Sequence, residues 1–92
     1  RVLQAQGEVK MRLGDAPAAE ALLREALAIR VAALGDGHWA VAETQSALGE
    51  ALAAQGRIDE ATPLMTGAYE RLLAQRGADD RRTRDARARL GR

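Results

Sequence analysis

Glu43 and Glu50 are the carboxylates whose spacing could do chemistry. They stand seven apart, which puts both on one face of a helix. Such a pair could share general acid and base work. No strand-loop signature accompanies them to build a pocket, so an acid pair on a helix face is read as surface. His38 is the single histidine, and cysteine is absent. A zinc site needs further His or Cys ligands, and a Ser-His-Asp arrangement needs a partner set. Nothing in the chain supplies either, so His38 is expected in a loop beside a helix start. The nine glycines contain no phosphate-cradling G-x-x-x-x-G-K-[ST] pattern. No catalytic, cofactor or metal residue is therefore assigned, and the segment is expected not to be an enzyme.

Charge is the remaining chemistry. The formal net charge is +1, yet residues 76–92 carry Arg76, Arg81, Arg82, Arg84, Arg87, Arg89 and Arg92 against Asp79, Asp80 and Asp85. An arginine run can track phosphates. This one lacks interleaved aromatics for base stacking, so a solvated helix explains it better than a nucleic-acid surface. Thirteen of the fourteen basic residues are Arg, a bias read as that of a GC-rich, bacterial genome.

These side chains need elements to position them, and the elements repeat. Gly14 and Gly56 lie 42 residues apart. So do Ala19 and Ala61, Leu22 and Leu64, Ala26 and Ala68, Gly35 and Gly77, and Glu8 and Glu50. Gly7, Gly49 and Gly91 form a triple at the same offset, and Leu48 pairs with Leu90. A fixed period in this range marks a helical repeat array.

Composition agrees. The apolar fraction is 47 %, mostly Ala and Leu, with one Trp, one Tyr and no Phe. Ala and Leu are strong helix formers. Ninety-two residues allow one thin-cored domain. No apolar run approaches the ~20 residues of a membrane span, and no signal-peptide pattern opens the chain. The absence of cysteine fits a cytoplasmic setting. The chain begins on Arg1 rather than Met and is read as a fragment of a larger protein.

Apolar spacing predicts five helices. The first covers 2–13, with Val2, Leu3, Val9 and Leu13 on a partial apolar face. Gly7 inside it would allow a neighbouring helix to approach closely. Gly14 ends it, Asp15 caps the next, and Pro17 sits in the first turn. The second helix covers about 16–34, with Leu22, Ala26, Ile29 and Ala33 on one stripe and Leu23, Leu27, Val31 and Leu34 on the next. The third runs from Trp39 to about Gln55 and turns Val41, Ala47, Leu48, Ala51 and Leu52 inward. The fourth covers about 58–76 and buries Leu64, Met65, Ala68, Tyr69, Leu72 and Leu73. Pro63 falls early enough in it to be tolerated at the cost of a slight bend. The fifth covers about 80–90 and has only Thr83, Ala86 and Leu90 to bury, as a terminal capping helix would. The expected architecture is all-α: an α-α superhelix of about two and a half hairpins, five antiparallel helices in a single domain over 1–92. Its units are about 1–35, 36–77 and a C-terminal cap at 80–91.

Leu48-Gly49, Ala61, Met65 and Ala68 resemble the signature of the tetratricopeptide repeat family. Gly7, Ala19, Leu23 and Ala26 match it in the first unit, and Leu90-Gly91 in the third. The period of 42 is longer than the family's usual ~34 and is similar to that of the kinesin-light-chain-like subclass. Leu34-Gly35, His38, Val41-Ala42, Thr44, Leu48-Gly49, Gln55-Gly56, Glu60-Ala61 and Pro63-Leu64 carry that likeness. Trp39 replaces the subclass's Pro. Where the subclass places an Asn pair, this chain has Gln4-Ala5, Ser46-Ala47 and Ala88-Arg89.

The resemblance implies a non-catalytic scaffold with no cofactor, which binds a peptide or helix of a protein partner in a concave groove. Carried over by position, the groove residues are Gln4, Glu8, Met11 and Arg12; Glu43, Ser46, Glu50 and Ala53; and Asp85 and Arg92. Glu8, Glu43 and Glu50 would make the groove mildly acidic, suited to basic or apolar ligand residues. Three further expectations stand beside this one. Open ends bearing Val2, Leu3 and Val9 could pack on further repeats or on a second copy, giving a homodimer. No membrane contact is expected. Nucleic acid at 81–92 is the remote alternative.

Overall fold

A computed structural model of the chain describes residues 2–91, the side chain of Val2 excepted. Five helices follow one another: α1 (Val2–Arg12), α2 (Ala16–Leu34), α3 (Trp39–Ala54), α4 (Ile58–Arg76) and α5 (Arg81–Leu90). No strand occurs among the described residues. Every boundary lies within one residue of its sequence expectation, because the stop and start signals are local. Gly14 and Gly56 both turn at φ 80°, and Gly35 and Gly77 at 87° and 85°. These left-handed values favour glycine and close the helices before them. Asp15 Oδ1 accepts from Ala18 N–H at 3.2 Å at the start of α2. His38 Nδ1 accepts from Ala40 N–H at 3.0 Å, so the lone histidine is the N-cap of α3. Asp80 does the same for α5, accepting from Arg82 N–H at 2.8 Å. α4 runs through Pro63 without a break.

Each helix packs against its sequence neighbours, and α3 also meets α1 and α5. The architecture is a helical-hairpin solenoid: α1 with α2, α3 with α4, then α5. One buried cluster holds Ala19 and Leu23 of α2, Ala47, Leu48, Ala51 and Leu52 of α3, and Ala61 and Met65 of α4. A second holds Ala42, Ala68, Leu72 and Ala86, with Trp39 and Tyr69 packed on it. The predicted inward residues of α3 are all buried.

Glycine permits the close crossing inside each hairpin. A Cβ on Gly7 would stand 2.8 Å from Leu23 Cγ, and one on Gly49 would overlap the Met65 side chain. Gly91, third of the triple, meets only the last turn of its own helix.

Four packing expectations are corrected, one of them in α5, where Leu90 is exposed rather than buried. In α2 the buried stripe is Ala19, Leu23 and Ala26, while Ile29, Ala33 and Leu34 are exposed. Leu23 and Ala26 come one from each predicted stripe, so the division falls along the helix: its earlier turns are covered by α1 and α3, and its last turns are not. In α4, Leu73 is exposed rather than buried. Val9 on α1 and Leu13 just after it are exposed rather than buried.

Candidate concave interaction face

The first helix of each hairpin, α1 and α3, and α5 beyond them bring their polar residues to one face. A small cleft of about 90 Å³ between them is lined by Gln4 and Glu8 from α1, Glu43 from α3, and Arg81, Arg82, Asp85 and Arg89 from α5. Below it an open apolar cleft of about 500 Å³ is lined by Met11, Ala53, Ala54, Ile58, Met65 and Leu90, with Glu50 and Arg89 on its rim. A third cleft, of about 820 Å³, lies at the other end, among Ile29, Leu34, Trp39 and the Arg30–Glu43 pair.

The face is not acidic as the sequence led one to expect. Glu43 is paired with Arg30 Nη1 at 3.0 Å and faces Arg82 Nε at 3.6 Å. Glu50 is paired with Arg89 Nε at 3.1 Å, and Glu8 lies 4.0 Å from Arg89 Nη2. Three arginines therefore balance three glutamates. A hydrogen-bond chain threads behind them. Arg30 Nη1 donates to Ala40 O at 2.8 Å and to Thr44 Oγ1 at 3.1 Å. Thr44 Oγ1 donates to Gln4 Oε1 at 2.6 Å, and Gln4 Nε2 donates to Glu8 Oε2 at 3.3 Å. Arg89 Nη1 donates to Ser46 Oγ at 3.1 Å.

The positions carried over from the family thus divide. Gln4, Glu8, Glu43 and Asp85 line the polar cleft, and Met11, Glu50 and Ala53 line the apolar one. Gln4 and Ser46 are buried and hydrogen-bonded to Thr44 and Arg89 respectively. Arg12 is exposed and lines none of these clefts. Arg92 lies outside the described residues.

Arg30, Arg82 and Arg89 were not anticipated, although a signal existed. At the repeat offset of 42, Arg30 stands where the second unit has Leu72, Arg82 where α3 has Ala40, and Arg89 where α3 has Ala47. All three apolar counterparts are buried. A charge placed at a core position must find partners, and each of these does.

Trp39 is gripped from two sides. Arg76 Cζ lies 4.8 Å and Arg82 Cζ 4.5 Å from the indole centroid, and His38 stacks at 5.3 Å. The indole packs across the junction of α3, α4 and α5. The buried Nε of Arg82 makes no hydrogen bond; the guanidinium is turned to the ring and stays 3.6 Å from Glu43.

At the hairpin turns a second network gathers on Glu20. Arg24 Nε donates to it at 2.8 Å, Gln55 Nε2 at 3.0 Å and Arg57 Nη1 at 2.8 Å. The hydrogen bond from Arg24, followed by that from Gln55, holds its carboxyl below the ordinary value of 4.5. Glu60 is lowered chiefly by its hydrogen bonds from Arg57. Asp80 is lowered chiefly by the Arg82 backbone N–H it caps.

No group of three or more His, Cys, Asp or Glu side chains among the described residues could hold a metal ion. No described helix is long and apolar enough to cross a membrane. A family model described as tetratricopeptide repeat matches residues 1–74. No curated protein and no solved structure gives a match. Repeats of this family serve in general as protein-interaction modules and are typically non-catalytic. Paired helices at one period, small residues at the crossings and a family match over four-fifths of the length agree: the chain belongs to the tetratricopeptide repeat family.

Proposed function

We propose that this segment is a protein-binding module whose concave side receives a peptide or helix through the apolar cleft at the lower end of α1, α3 and α5. One observation carries the reading. Met11, Ala53, Ala54, Ile58, Met65 and Leu90, from four helices, converge on an open cleft of about 500 Å³ rimmed by the paired Arg89 and Glu50. An apolar anchor flanked by orienting polar groups is the usual form of a recognition site. The balanced charges above the cleft offer little to a purely basic ligand, because each glutamate already faces an arginine. The ligand we infer carries one large apolar side chain for the cleft and uncharged polar groups beside it. The 42-residue period supports placing the repeats in the kinesin-light-chain-like subclass. Its Asn clamp is replaced here by buried Ser46 and Gln4, so the peptide backbone is held by shape rather than by paired amides.

Selection from a displayed random-peptide library tests this. Selected peptides are expected to share a large apolar residue and to lose binding to Ala54→Glu/Ile58→Glu. Both residues are exposed, so the variant keeps the melting temperature of the parent. Equal binding by the double variant overturns the cleft.

Association of two copies through α1 is the second reading. Val9 in α1 is 43 % exposed, and Leu13, just past its end, 73 %. Light scattering at high concentration decides it: a monomer there removes it.

A further inference from the structure

We propose that the small polar cleft between α1, α3 and α5 is a subsite for a side-chain carboxamide, and that it reads a glutamine or asparagine of the bound peptide. The proposal rests on the protein-binding reading above and names the polar group which that reading leaves open. Unlike the two ends of the stack, this cleft has its walls inside the chain. Glu8 stands on α1, Glu43 on α3, and Arg82, Asp85 and Arg89 on α5. Its charges are paired but not closed. Arg82 Nε lies 3.6 Å from Glu43 Oε2, and Arg89 Nη2 lies 4.0 Å from Glu8 Oε2. Both gaps are too wide for a direct hydrogen bond. Both suit one bridging polar atom about 2.9 Å from each side. Neither arginine is placed to swing and close its gap. Arg82 lies over the Trp39 ring at 4.5 Å, with Asp80 Oδ1 3.6 Å from its Nη1. Arg89 donates through Nε to Glu50 and through Nη1 to Ser46, both at 3.1 Å.

Hydrogen-bonding capacity of both kinds is therefore left over. The buried Arg82 Nε has no hydrogen bond, and among the described residues Arg89 Nη2 has none. Glu43 accepts from Arg30 on Oε1, and Glu8 from Gln4 on Oε2, so each keeps one carboxylate oxygen without a hydrogen bond. Asp85 is exposed, with neither ion pair nor hydrogen bond among the described residues. A ligand carboxylate here would suit the arginines but face Glu8, Glu43 and Asp85. An ammonium would suit the carboxylates but face the arginines. Like charges at close range reject both. A hydrocarbon would leave every one of these groups unpaired. A carboxamide offers an acceptor oxygen with two lone pairs and two N–H donors. Its oxygen can take Arg82 and Arg89 while its nitrogen gives to Glu43 and Glu8. The cleft of about 90 Å³ is the room of about three waters, which matches the heavy atoms of that group. A main-chain amide has one N–H and carries chain on both sides, so it does not enter a cleft of this size. The apolar cleft adjoins, since Arg89 lines both. On α3, Glu50 and Ala53 stand seven and ten residues beyond Glu43, about 10–15 Å of helix. An extended peptide covers that in about three to five residues, which sets the spacing between the ligand's amide and its apolar anchor.

The test is selection from a displayed random-peptide library on the whole chain, repeated on Glu8→Gln/Asp85→Asn. On the parent, glutamine or asparagine is expected to be enriched about three to five positions from the large apolar residue. In a synthetic copy of a selected peptide, changing that amide residue to glutamate, lysine or norleucine should each weaken binding by about tenfold or more, read by fluorescence anisotropy. The variant removes two carboxylate charges and keeps their shape. It should select glutamate or aspartate in place of the amide, with the apolar residue unchanged. Its circular dichroism melt should match the parent's, which separates a changed preference from a changed fold. Ala54→Glu/Ile58→Glu should lose the apolar preference alone. Peptides that share the apolar residue but show no amide preference, or show glutamate or lysine in its place, overturn the carboxamide subsite and leave the protein-binding reading standing. So does an unchanged preference on Glu8→Gln/Asp85→Asn. Peptides without a shared apolar residue overturn the apolar cleft instead, and a library that yields no binder overturns both.

Discussion

At the scale of single residues, the triple Gly7, Gly49 and Gly91 shows how position alone changes a glycine's worth. A methyl added at Gly49 would strike Met65 near the root of its side chain, where little freedom remains. Overpacking of that kind costs about 1–3 kcal/mol. Replacing glycine by alanine inside a helix returns about 1 kcal/mol, so the clash wins at Gly49 or cancels the gain. At Gly91 a Cβ meets nothing nearer than 3.6 Å, and φ is −78°. Gly49→Ala is therefore expected to be destabilising by up to about 2 kcal/mol, and Gly91→Ala to be neutral or slightly stabilising. Urea titrations of the two variants check this; the reverse order would refute the close crossing of α3 and α4. The arginines follow the same rule of position. Arg30, Arg82 and Arg89 stand at core positions of the repeat, and all three are spent on internal carboxylates. Arg81, Arg84 and Arg87, at positions with no such carboxylate within reach, are exposed.

At the scale of elements, the helices are joined less by loops than by side chains that reach across them. Arg71 Nη1 donates to Asp36 O at 3.0 Å and Gln75 Nε2 to Gly37 O at 2.6 Å, so the end of α4 holds the α2–α3 loop. At the opposite end Glu20 of α2 collects Gln55 and Arg57 from the α3–α4 turn. Its lowered pKa fixes the sign of a pH effect. The carboxyl releases its proton more readily folded than unfolded, so the stabilisation is complete above the ordinary carboxylate value of 4.5 and is lost as pH falls through the depressed folded value. Glu60 and Asp80 act in the same direction. Thermal melts are expected to hold level from neutral pH to about 5 and to drop below it. Glu20→Gln should flatten that acid limb; an unchanged limb would show that the junction network contributes nothing.

At the scale of the whole molecule, cohesion is uneven. The radius of gyration is 11.9 Å and the extents are 31 × 29 × 22 Å. The larger buried cluster is made by α2, α3 and α4. α5 contributes Thr83 and Ala86 to the interior, with Thr83 Oγ1 donating to Leu72 O at 3.2 Å. Little apolar area thus holds α5, and low-burial elements open first. Trp39, the single tryptophan, reports on it because Arg82 of α5 covers the indole. In a urea titration its fluorescence is expected to change at a lower midpoint than the far-ultraviolet helix signal. Coincident midpoints would make the five helices one cooperative unit.

The sequence by itself determined the helices, their order and their period. Left-handed glycines, Asp and His caps and the 3.6-residue rhythm act within one or two turns, so each boundary can be read from its own neighbourhood. The repeat offset carried the family likeness for the same reason, since it compares equivalent positions and needs no partner. Tertiary structure decided what depends on residues far apart in the chain. On α2, where both predicted apolar stripes run the length of the helix, it buried Leu23 and Ala26 and left Ile29 and Leu34 exposed, because only the earlier turns are covered by α1 and α3. Glu8, Glu43 and Glu50 look like an acidic groove until the fold sets Arg30, Arg82 and Arg89 against them. A carboxylate's net charge is a property of the sequence, but the field it presents depends on which cation stands within a few ångströms, and that is settled only when the helices pack.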